Sequence, residues 1–213
     1  MVVSKKKDNP KVKIYINNEE LEQIEQFNYL GSLITSDGRC DSEIKRRIAM
    51  AKKSFMDKKN ILTDKKLHMN LKLKFLKCYV LSTLLYGCES WTISETIKKK
   101  LEATEMWFLR RMMRIPWVKK VTNERVLELA GTGRSLLTTI RKRQLQFIGH
   151  TIRKNGIGKL AIEGKINGKR ARGRQRLEYM KSLALATGTT VRNILRLSQD
   201  RVGFRRLVAN VRI

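Results

Sequence analysis

The sequence predicts a mainly α protein, a helical bundle that follows a small N-terminal antiparallel β element and leads into a basic helical C-terminal region. Three observations predict this architecture. Apolar and polar residues alternate with a period of two within residues 11–36, which is typical of strands. After Asp37-Gly38, apolar residues recur at helical spacing almost to the end of the chain. The last third is then the most basic, with 19 Lys or Arg and three acidic residues from Arg141 onward.

Residues 1–10 are expected to form a flexible basic leader, and the strands to begin after them. Val12, Ile14 and Ile16 alternate with Lys11, Lys13 and Tyr15. This alternation predicts a strand with one buried face. Asn17-Asn18 supplies the residues of a tight turn, and the strand pattern resumes toward Ile24.

A third strand is predicted through Phe27–Ile34. Gly31 lies within it, where a glycine indicates a bulge or a close approach by another backbone or a ligand.

The first predicted helix is capped by Asp41. Its apolar residues Ile44, Ile48, Ala51 and Phe55 fall on one face.

A second helix is expected to begin at Thr63 or Asp64, with an inward face made of Leu67, Leu71, Phe75, Cys78, Ser82 and Leu85. It ends in "CYVLSTLLYGC", which is apolar nearly all round and is predicted to be the central helix of the core. Thr92 and Glu95 match a capping box, so they predict the start of a third helix. Its inward face comprises Ile97, Leu101, Phe108 and Met112, and it ends before Pro116.

Four further helices are predicted in the C-terminal half. A short one spans Asn123–Ala130 and stops at Gly131, and a longer one runs from about Ser135 to Lys154. Residues 156–175 are Gly-rich and very basic, and we expect them to form an exposed loop or hairpin. The last two helices lie near 176–186 and 191–211, on either side of Gly188.

The charge balance predicts a polyanionic partner. The 213 residues include 47 Lys or Arg and 19 Asp or Glu, a formal net charge of +28. Nucleic acid is the first candidate and an anionic membrane surface the second. Membrane binding is disfavoured because few helices pair a clean basic face with a bulky exposed apolar one. Of the 19 basic residues in the last third, 13 are Arg, whose planar guanidinium matches phosphate oxygens.

Catalytic and metal-binding patterns are missing from the sequence. No two aspartates are adjacent or one apart, and no phosphate-binding loop, nucleophile elbow or zinc-protease motif occurs. Cys40, Cys78 and Cys88 have neither zinc nor disulfide spacing, which indicates a reducing, intracellular setting in the nucleus or cytoplasm. The chain alone is therefore not expected to be an enzyme or to hold a cofactor.

A few residues allow two interpretations. His150 is expected to be structural or to contact phosphate rather than to act in catalysis. Trp91, Trp107 and Trp117 suit base stacking, but packing in the core is the expected role.

An ordered series of motifs resembles one protein family over nearly the whole chain from about Lys11. The series is "FNYLGSLITSDGRCDSEIKRRIAMAKKSF", "LKFLKCYVLSTLLYGCESWT", "KKKLEATEMWFLRRMMRIPW", "VTNERVL", "RQLQFIGHTIRK" and "GKRARGRQR". It is similar to the part that follows the catalytic palm motifs in reverse transcriptases of non-LTR (LINE-type) retrotransposons, of the RTE/BovB sort. Each motif alone is weak, and the specificity lies in their order.

The resemblance implies roles for two groups of residues. Phe27, Tyr29, Leu30 and Gly31 would belong to a primer-grip hairpin that seats the primer 3′ end, although simple strand packing also explains Phe27 and Tyr29. Basic residues would neutralise the phosphates of RNA, an RNA–DNA hybrid or DNA without reading sequence. These are Lys45, Arg46, Lys52, Lys53, Arg141, Arg143, Arg153, Lys154, Lys169, Arg170, Arg172, Arg174 and Arg176.

The resemblance also implies three regions in this chain and indicates which parts of the family's enzyme the chain lacks. Residues 11–36 would be the remnant of the palm edge, 40–115 a thumb-like bundle and 120–213 the basic C-terminal region. The fingers, the palm with its catalytic aspartates and the Mg²⁺ that they hold would belong to a full-length parent, so this chain looks like a truncated copy. The missing fingers and palm are then a candidate partner. A domesticated RNA- or DNA-binding protein and a non-functional pseudogene product stay open as alternatives.

Two departures from the family pattern lie near the C-terminus. The family tends to show Gly-Arg-Pro-Arg followed by Trp, whereas this chain has "GRQR" followed by Leu177. It also has Phe204-Arg205 after Asp200-Arg201, where the family tends to have Trp-Arg. These changes put a shared role of the tail in doubt.

Overall fold

The computed structural model describes residues 1–3, 10–154, 156–163 and 179–211. It confirms a mainly α fold with a small antiparallel β element at the N-terminus. Strands β1 (Tyr15–Ile16) and β2 (Glu19–Glu20) form one two-stranded hairpin, and β3 (Gln26–Tyr29) and β4 (Ser32–Thr35) form a second. The α-helices of the described residues are α1 (Asp41–Asp57), α2 (Lys59–Leu62), α3 (Met69–Phe75), α4 (Ser82–Leu84), α5 (Glu95–Met112), α6 (Asn123–Ala130), α7 (Leu136–Arg153), α8 (Ile157–Glu163), α9 (Tyr179–Thr187), α10 (Val191–Gln199) and α11 (Arg201–Ala209).

Helix periodicity is confirmed most clearly in α1, α5 and α6. The predicted apolar faces of α1 and α5 are buried, and they pack against each other through a ring cluster in which Phe55 lies 5.4 Å from Phe108 and 5.3 Å from Trp107. Helix α6 has the predicted bounds, because the Thr122 hydroxyl accepts the Arg125 N–H at its start and Gly131 takes a left-handed conformation at its end. Local capping chemistry is therefore sufficient to place this helix.

Two predicted caps were wrong. The N-cap of α1 is Cys40, and Asp41 is the first helical residue, where its charge still favours the N-terminus. At α5 the cap is Ser94, whose hydroxyl accepts the Ile97 N–H, rather than the box formed by Thr92 and Glu95.

The prediction for the second helix was wrong in its start and its face. It begins after His68, continues from α3 through a π-helical stretch at Leu76–Leu81 and ends with α4. Of the predicted face, Leu71 and Cys78 are exposed and Leu85 is buried as predicted. Val80 and Leu84, which lie outside that face, are also buried. The predicted burial of "CYVLSTLLYGC" holds only in part, since its two tyrosines are exposed.

Predictions for the N-terminal strand and the C-terminal region also needed correction. Val12, Ile14 and Ile16 are 43%, 53% and 57% exposed, so the first strand has no buried face. Alternation determines which side chains share a face, but not whether another element covers it.

Within the predicted loop 156–175, Ile157–Glu163 is helical, and residues 164–178 lie outside the described residues. The last predicted helix is two helices, because the Asp200 carboxylate caps the start of α11 through the N–H groups of Val202 and Gly203.

Buried apolar residues form two clusters that meet within α7. The first runs from Ile44 to Ile140 and the second from Leu145 to Val211. Gly149 allows α11 to pack closely on α7, because a Cβ at this position would lie 2.6 Å from Cε1 of Phe204. The predicted division of the chain at 115–120 stays a prediction, and the clusters themselves divide between Ile140 and Leu145.

A buried polar network lies where the clusters meet. The Gln144 side chain is fully buried and donates to the carbonyls of Cys88, at 3.0 Å, and Trp91, at 2.8 Å. Its oxygen accepts from Arg141, which also donates to the Ser182 hydroxyl at 3.0 Å. Burial lowers the pKa of Arg141, as expected for a cation removed from water. The network joins α7 to α9 and to the turn at Cys88–Ser90.

Candidate nucleic-acid interface

The hairpin β3–β4 carries the predicted primer-grip residues. Its register pairs Phe27 with Ile34 and Tyr29 with Ser32. Leu30 and Gly31 form the turn with φ of +47° and +79°, the pattern of a type I′ hairpin turn. The prediction of one strand through Phe27–Ile34 was therefore wrong. Gly31 is not in a bulge but in the turn, which needs a positive φ, and the alternative of a close approach by a ligand stays a prediction.

Side chains from α1 and from the turn that follows α4 fix the hairpin turn. Arg46 and Arg47 of α1 both donate to the Gly31 carbonyl, Arg46 at 2.6 Å. The Tyr86 hydroxyl donates to the Leu30 carbonyl at 2.7 Å, and the Arg47 guanidinium stacks 4.4 Å from the centre of the Tyr86 ring. The carbonyls of both central turn residues, Leu30 and Gly31, are thus bound by side chains from elsewhere in the chain.

Glu43 organises this clamp. Its carboxylate accepts from Arg47 at 2.7 Å, from Arg46 at 2.8 Å and from the backbone N–H of Leu33 at 2.9 Å. Burial opposes ionisation of Glu43, but these donors outweigh it and hold the pKa below its ordinary value of 4.5. One carboxylate therefore connects both arginines to the hairpin strand.

The clamp leaves one side of the hairpin open to solvent. Phe27 is 46% exposed, Tyr29 is 56% exposed, and Leu30 at the tip is 76% exposed. Phe27 and Tyr29 lie two residues apart and so share a face. In the described structure both side chains remain available to a ligand or a partner, and neither is packed into a core.

The four predicted cations of α1 are divided among different environments. Lys45 and Lys53 are exposed, whereas Arg46 belongs to the clamp. Lys52 is half-buried with its ammonium 5.3 Å from the centre of the Trp107 ring, where the two interact as cation and π face. Only part of this predicted set is therefore free to meet phosphates.

A second basic surface lies in a cleft of about 630 Å³ between α7 and α11, hereafter the α7–α11 cleft. It brings the predicted Arg143 and Arg153 together with His150, Arg201 and Arg205. Arg143 lies near Glu89, at 3.9 Å, and Arg153 donates to the Ser198 carbonyl at 2.8 Å. Lys154, which ends α7, is exposed.

Sequence analysis missed Arg201 and Arg205. Their signal was present, since residues four apart on a helix share a face. Only the packing of α11 against α7 shows that this face meets Arg143 and Arg153.

The other predicted phosphate-binding residues have different outcomes. Arg141 was misassigned to the surface, because its guanidinium is buried and bonded to Gln144 and Ser182. Five predicted residues lie outside the described residues, namely Lys169, Arg170, Arg172, Arg174 and Arg176.

The cysteines and tryptophans singled out in the sequence have defined environments. Burial raises the pKa of Cys88 to about 12, so its thiol stays protonated and packs as a core residue. Cys78 is exposed, contrary to the predicted core position. Trp91 is buried and Trp107 packs on the phenylalanine rings, whereas Trp117 is exposed and does not fit the predicted core role.

Metal-ligating groups and membrane-spanning helices are both absent from the described residues. Within those ranges, no three His, Cys, Asp or Glu side chains lie close enough together to hold a metal ion. No described helix is both long and apolar enough to cross a bilayer.

Comparison with known proteins gives an informative similarity. The chain is 28% identical over 141 residues to an uncharacterized transposon-derived protein of Caenorhabditis elegans. The match covers 63% of this chain and 49% of the relative, so the chain spans about half the length of the curated relative it matches. No family model matches the sequence, and no solved structure matches the fold. The similarity supports an origin of this chain in a transposable element.

Proposed function

We propose that this chain is the nucleic-acid-binding C-terminal part of a retrotransposon reverse transcriptase, which holds a template–primer through its phosphates and does not polymerise by itself. The clamped hairpin carries the proposal. Its backbone is fixed by Glu43, Arg46, Arg47 and Tyr86, while Phe27, Tyr29 and Leu30 face solvent. A rigid backbone that presents exposed aromatic side chains suits contact with a sugar or base at the end of a strand.

Charge supports the same proposal. The α7–α11 cleft contributes four arginines and one histidine against one carboxylate, that of Glu89. Arginine pairs with phosphate oxygens through two parallel hydrogen bonds and carries no sequence information when it does so. The expected ligand is therefore a phosphate backbone, held without base readout.

Magnesium chemistry is not assigned to this chain. The proposed parent enzyme would use Mg²⁺, but the described residues offer no group of carboxylates that would hold it. The proposed activity is therefore binding.

Binding to three nucleic acids tests the proposal. The full chain would be titrated with a recessed RNA–DNA primer–template, blunt duplex DNA and single-stranded RNA across a salt series, and extension would be assayed with dNTPs and Mg²⁺. We expect tighter binding to the recessed junction, a steep loss of affinity with salt and no extension. Equal, weak binding to all three would contradict a primer-grip role, and extension would contradict the absence of polymerase activity.

Matched variants locate the part of the hairpin that recognises the junction. Phe27→Ala with Tyr29→Ala should abolish the preference for the recessed junction, with a loss of about fivefold or more if one stacked base is released. The control is Ile14→Ala with Tyr15→Ala, which removes similarly exposed side chains from the β1–β2 hairpin. If both double variants bind alike, the hairpin does not recognise the junction.

A double variant in the α7–α11 cleft is compared with a control double variant on α10. Arg201→Gln with Arg205→Gln should lower the slope of log affinity against log salt by about two, one for each phosphate that is no longer neutralised. Arg192→Gln with Arg196→Gln removes an equally spaced pair from the exposed face of α10 and leaves the cleft intact. An equal change for both pairs would indicate dependence on total charge only.

A further inference from the structure

A large cavity among the described residues lies between α2, α5 and the short helical turn Trp117–Lys119, and none of the predicted site residues lines it. Its volume is about 1030 Å³, which is the size of a site for a small organic ligand. We call it the Trp117 cavity. It shares no lining residue with the α7–α11 cleft.

The lining is strongly cationic. It contains one carboxylate, that of Glu102, and six basic side chains. The basic residues are Lys59, Lys99, Arg110, Arg111, Arg114 and Arg134. Such an excess in a concave surface raises the local potential and attracts an anion.

The cations divide into a fixed group and an available group. Arg110 donates to the Val121 carbonyl and to Asn123 Oδ1, at 2.7 and 3.0 Å, and Arg114 donates to the Thr63 carbonyl at 2.9 Å. Arg134 pairs with Glu102 at 3.5 Å. Among the described residues, the side chains of Lys59, Lys99 and Arg111 take part in no hydrogen bond or ion pair. Lys59 and Lys99 are thus left entirely for an anionic ligand, and Arg111 keeps its hydrogen-bond donors although its guanidinium lies over the Trp107 ring.

Two tryptophans add aromatic surface. Trp107 is half-buried, with the Arg111 guanidinium 5.0 Å from the centre of its ring. Trp117 is 82% exposed, with the Arg110 guanidinium 5.6 Å from its ring centre. The Asn123 side chain and the Val121 carbonyl accept hydrogen bonds from Arg110, so they hold its guanidinium beside the Trp117 ring. The exposed indole of Trp117 is one of the groups that line this cationic cavity.

We propose that the Trp117 cavity binds a segment of single-stranded nucleic acid, with one unpaired base stacked on Trp117 and its neighbouring phosphates held by Lys59, Lys99 and Arg111. A stacking platform beside free cations recognises an unpaired nucleotide, because a base inside a duplex has both faces covered by its neighbours. An acidic peptide would satisfy the charges but would leave the indole without a planar partner. This inference rests on the proposed function only in that both take nucleic acid as the ligand.

The experiment uses the full chain and short fluorescent single strands of RNA and DNA. Trp117→Ala should weaken binding of both by about 5- to 150-fold, the equivalent of one stacked base, and Trp117→Phe should restore part of the affinity. Val118→Ala is the matched control, since Val118 lies in the same turn and is 87% exposed but has no ring. Circular dichroism would confirm that all three variants fold alike.

A second set of ligands separates stacking from charge. An abasic strand of equal length and polyglutamate should bind weakly, and their binding should not depend on Trp117. Wild-type affinity in Trp117→Ala, or an equal loss for the abasic strand, would overturn the proposal. Equal loss in Val118→Ala would also overturn it.

The same variants distinguish this site from the hairpin. Phe27→Ala with Tyr29→Ala should leave single-strand binding unchanged and weaken binding to the recessed junction. Trp117→Ala should weaken single-strand binding, and it should also weaken binding to the recessed junction through the unpaired template overhang. If the hairpin variants have no effect while Trp117→Ala still weakens single-strand binding, the primer-grip proposal fails and the cavity proposal stands. If the cavity proposal fails alone, the preference for the junction persists.

Discussion

The two N-terminal hairpins have the same local chemistry and different tertiary environments. Each turn has two central residues with positive φ, Asn17-Asn18 in one and Leu30-Gly31 in the other. Every residue of β1 and β2 is exposed, and an ion pair between Lys13 and Glu20 at 3.8 Å links the strands at the surface. The β3–β4 hairpin is instead fixed to α1 and Tyr86 by buried and half-buried polar groups. Turn residues therefore make a hairpin, and a polar clamp from elsewhere in the chain decides whether it has a defined position.

The largest expected effect comes from removing the centre of the clamp. Glu43→Ala leaves the buried Arg47 guanidinium without its carboxylate and the Leu33 N–H without its acceptor. Breaking a buried charge pair from one side costs about 3 kcal/mol of unfolding free energy. Urea unfolding measures the loss, and hydrogen exchange of the Leu33 amide shows whether the hairpin has detached.

The outer hairpin supplies the control for this variant. Glu20→Ala removes one partner of the exposed Lys13–Glu20 pair, and such pairs are worth about 0.5 kcal/mol at most. Similar losses for Glu43→Ala and Glu20→Ala would mean that the clamp adds no stability beyond a surface ion pair.

Acidification should weaken the clamp in a graded way. The pKa of Glu43 is lowered in the folded state, so its contribution to stability is complete above the ordinary pKa of 4.5 and is lost as pH falls through the lowered value. We expect a smaller loss than for Glu43→Ala, because a protonated carboxyl keeps its shape and one acceptor oxygen. The measurement is unfolding free energy from about pH 6 to about pH 3 in the wild type and Glu43→Gln. A curve of the same shape for both would show that other carboxylates cause the whole dependence.

Among changes to the clamped β3–β4 hairpin, the smallest expected effect is at the turn itself. Gly31→Ala would cost about 1 kcal/mol, because alanine disfavours the left-handed φ of +79°. Space is not the cause, since a Cβ there would lie 3.7 Å from the nearest atoms of Tyr86. Gly31→Asn, which tolerates this conformation, should recover part of the loss in thermal unfolding. Equal thermal stability of Gly31→Ala and Gly31→Asn would show that the positive φ does not cause the loss.

The helical class and most helix positions could be predicted from the sequence. Apolar spacing identified the buried faces of α1 and α5, and Gly131 identified the end of α6. The order of the motifs also indicated a transposon origin, which the similarity to the Caenorhabditis elegans protein supports. Helix periodicity and a glycine that ends a helix depend on interactions within a few residues, so a local pattern records them. The caps of α1 and α5 nevertheless lie one and two residues from the predicted ones.

Which charged and aromatic side chains are available to a ligand could be read only from the packed molecule. Arg141 and Arg143 are two residues apart on one basic helix, yet one is buried against Ser182 and the other lines the α7–α11 cleft. Trp117 resembles the other tryptophans in its apolar neighbourhood and is the exposed one among them. Exposure depends on which distant element packs against a helix face, and neither periodicity nor composition encodes that partner.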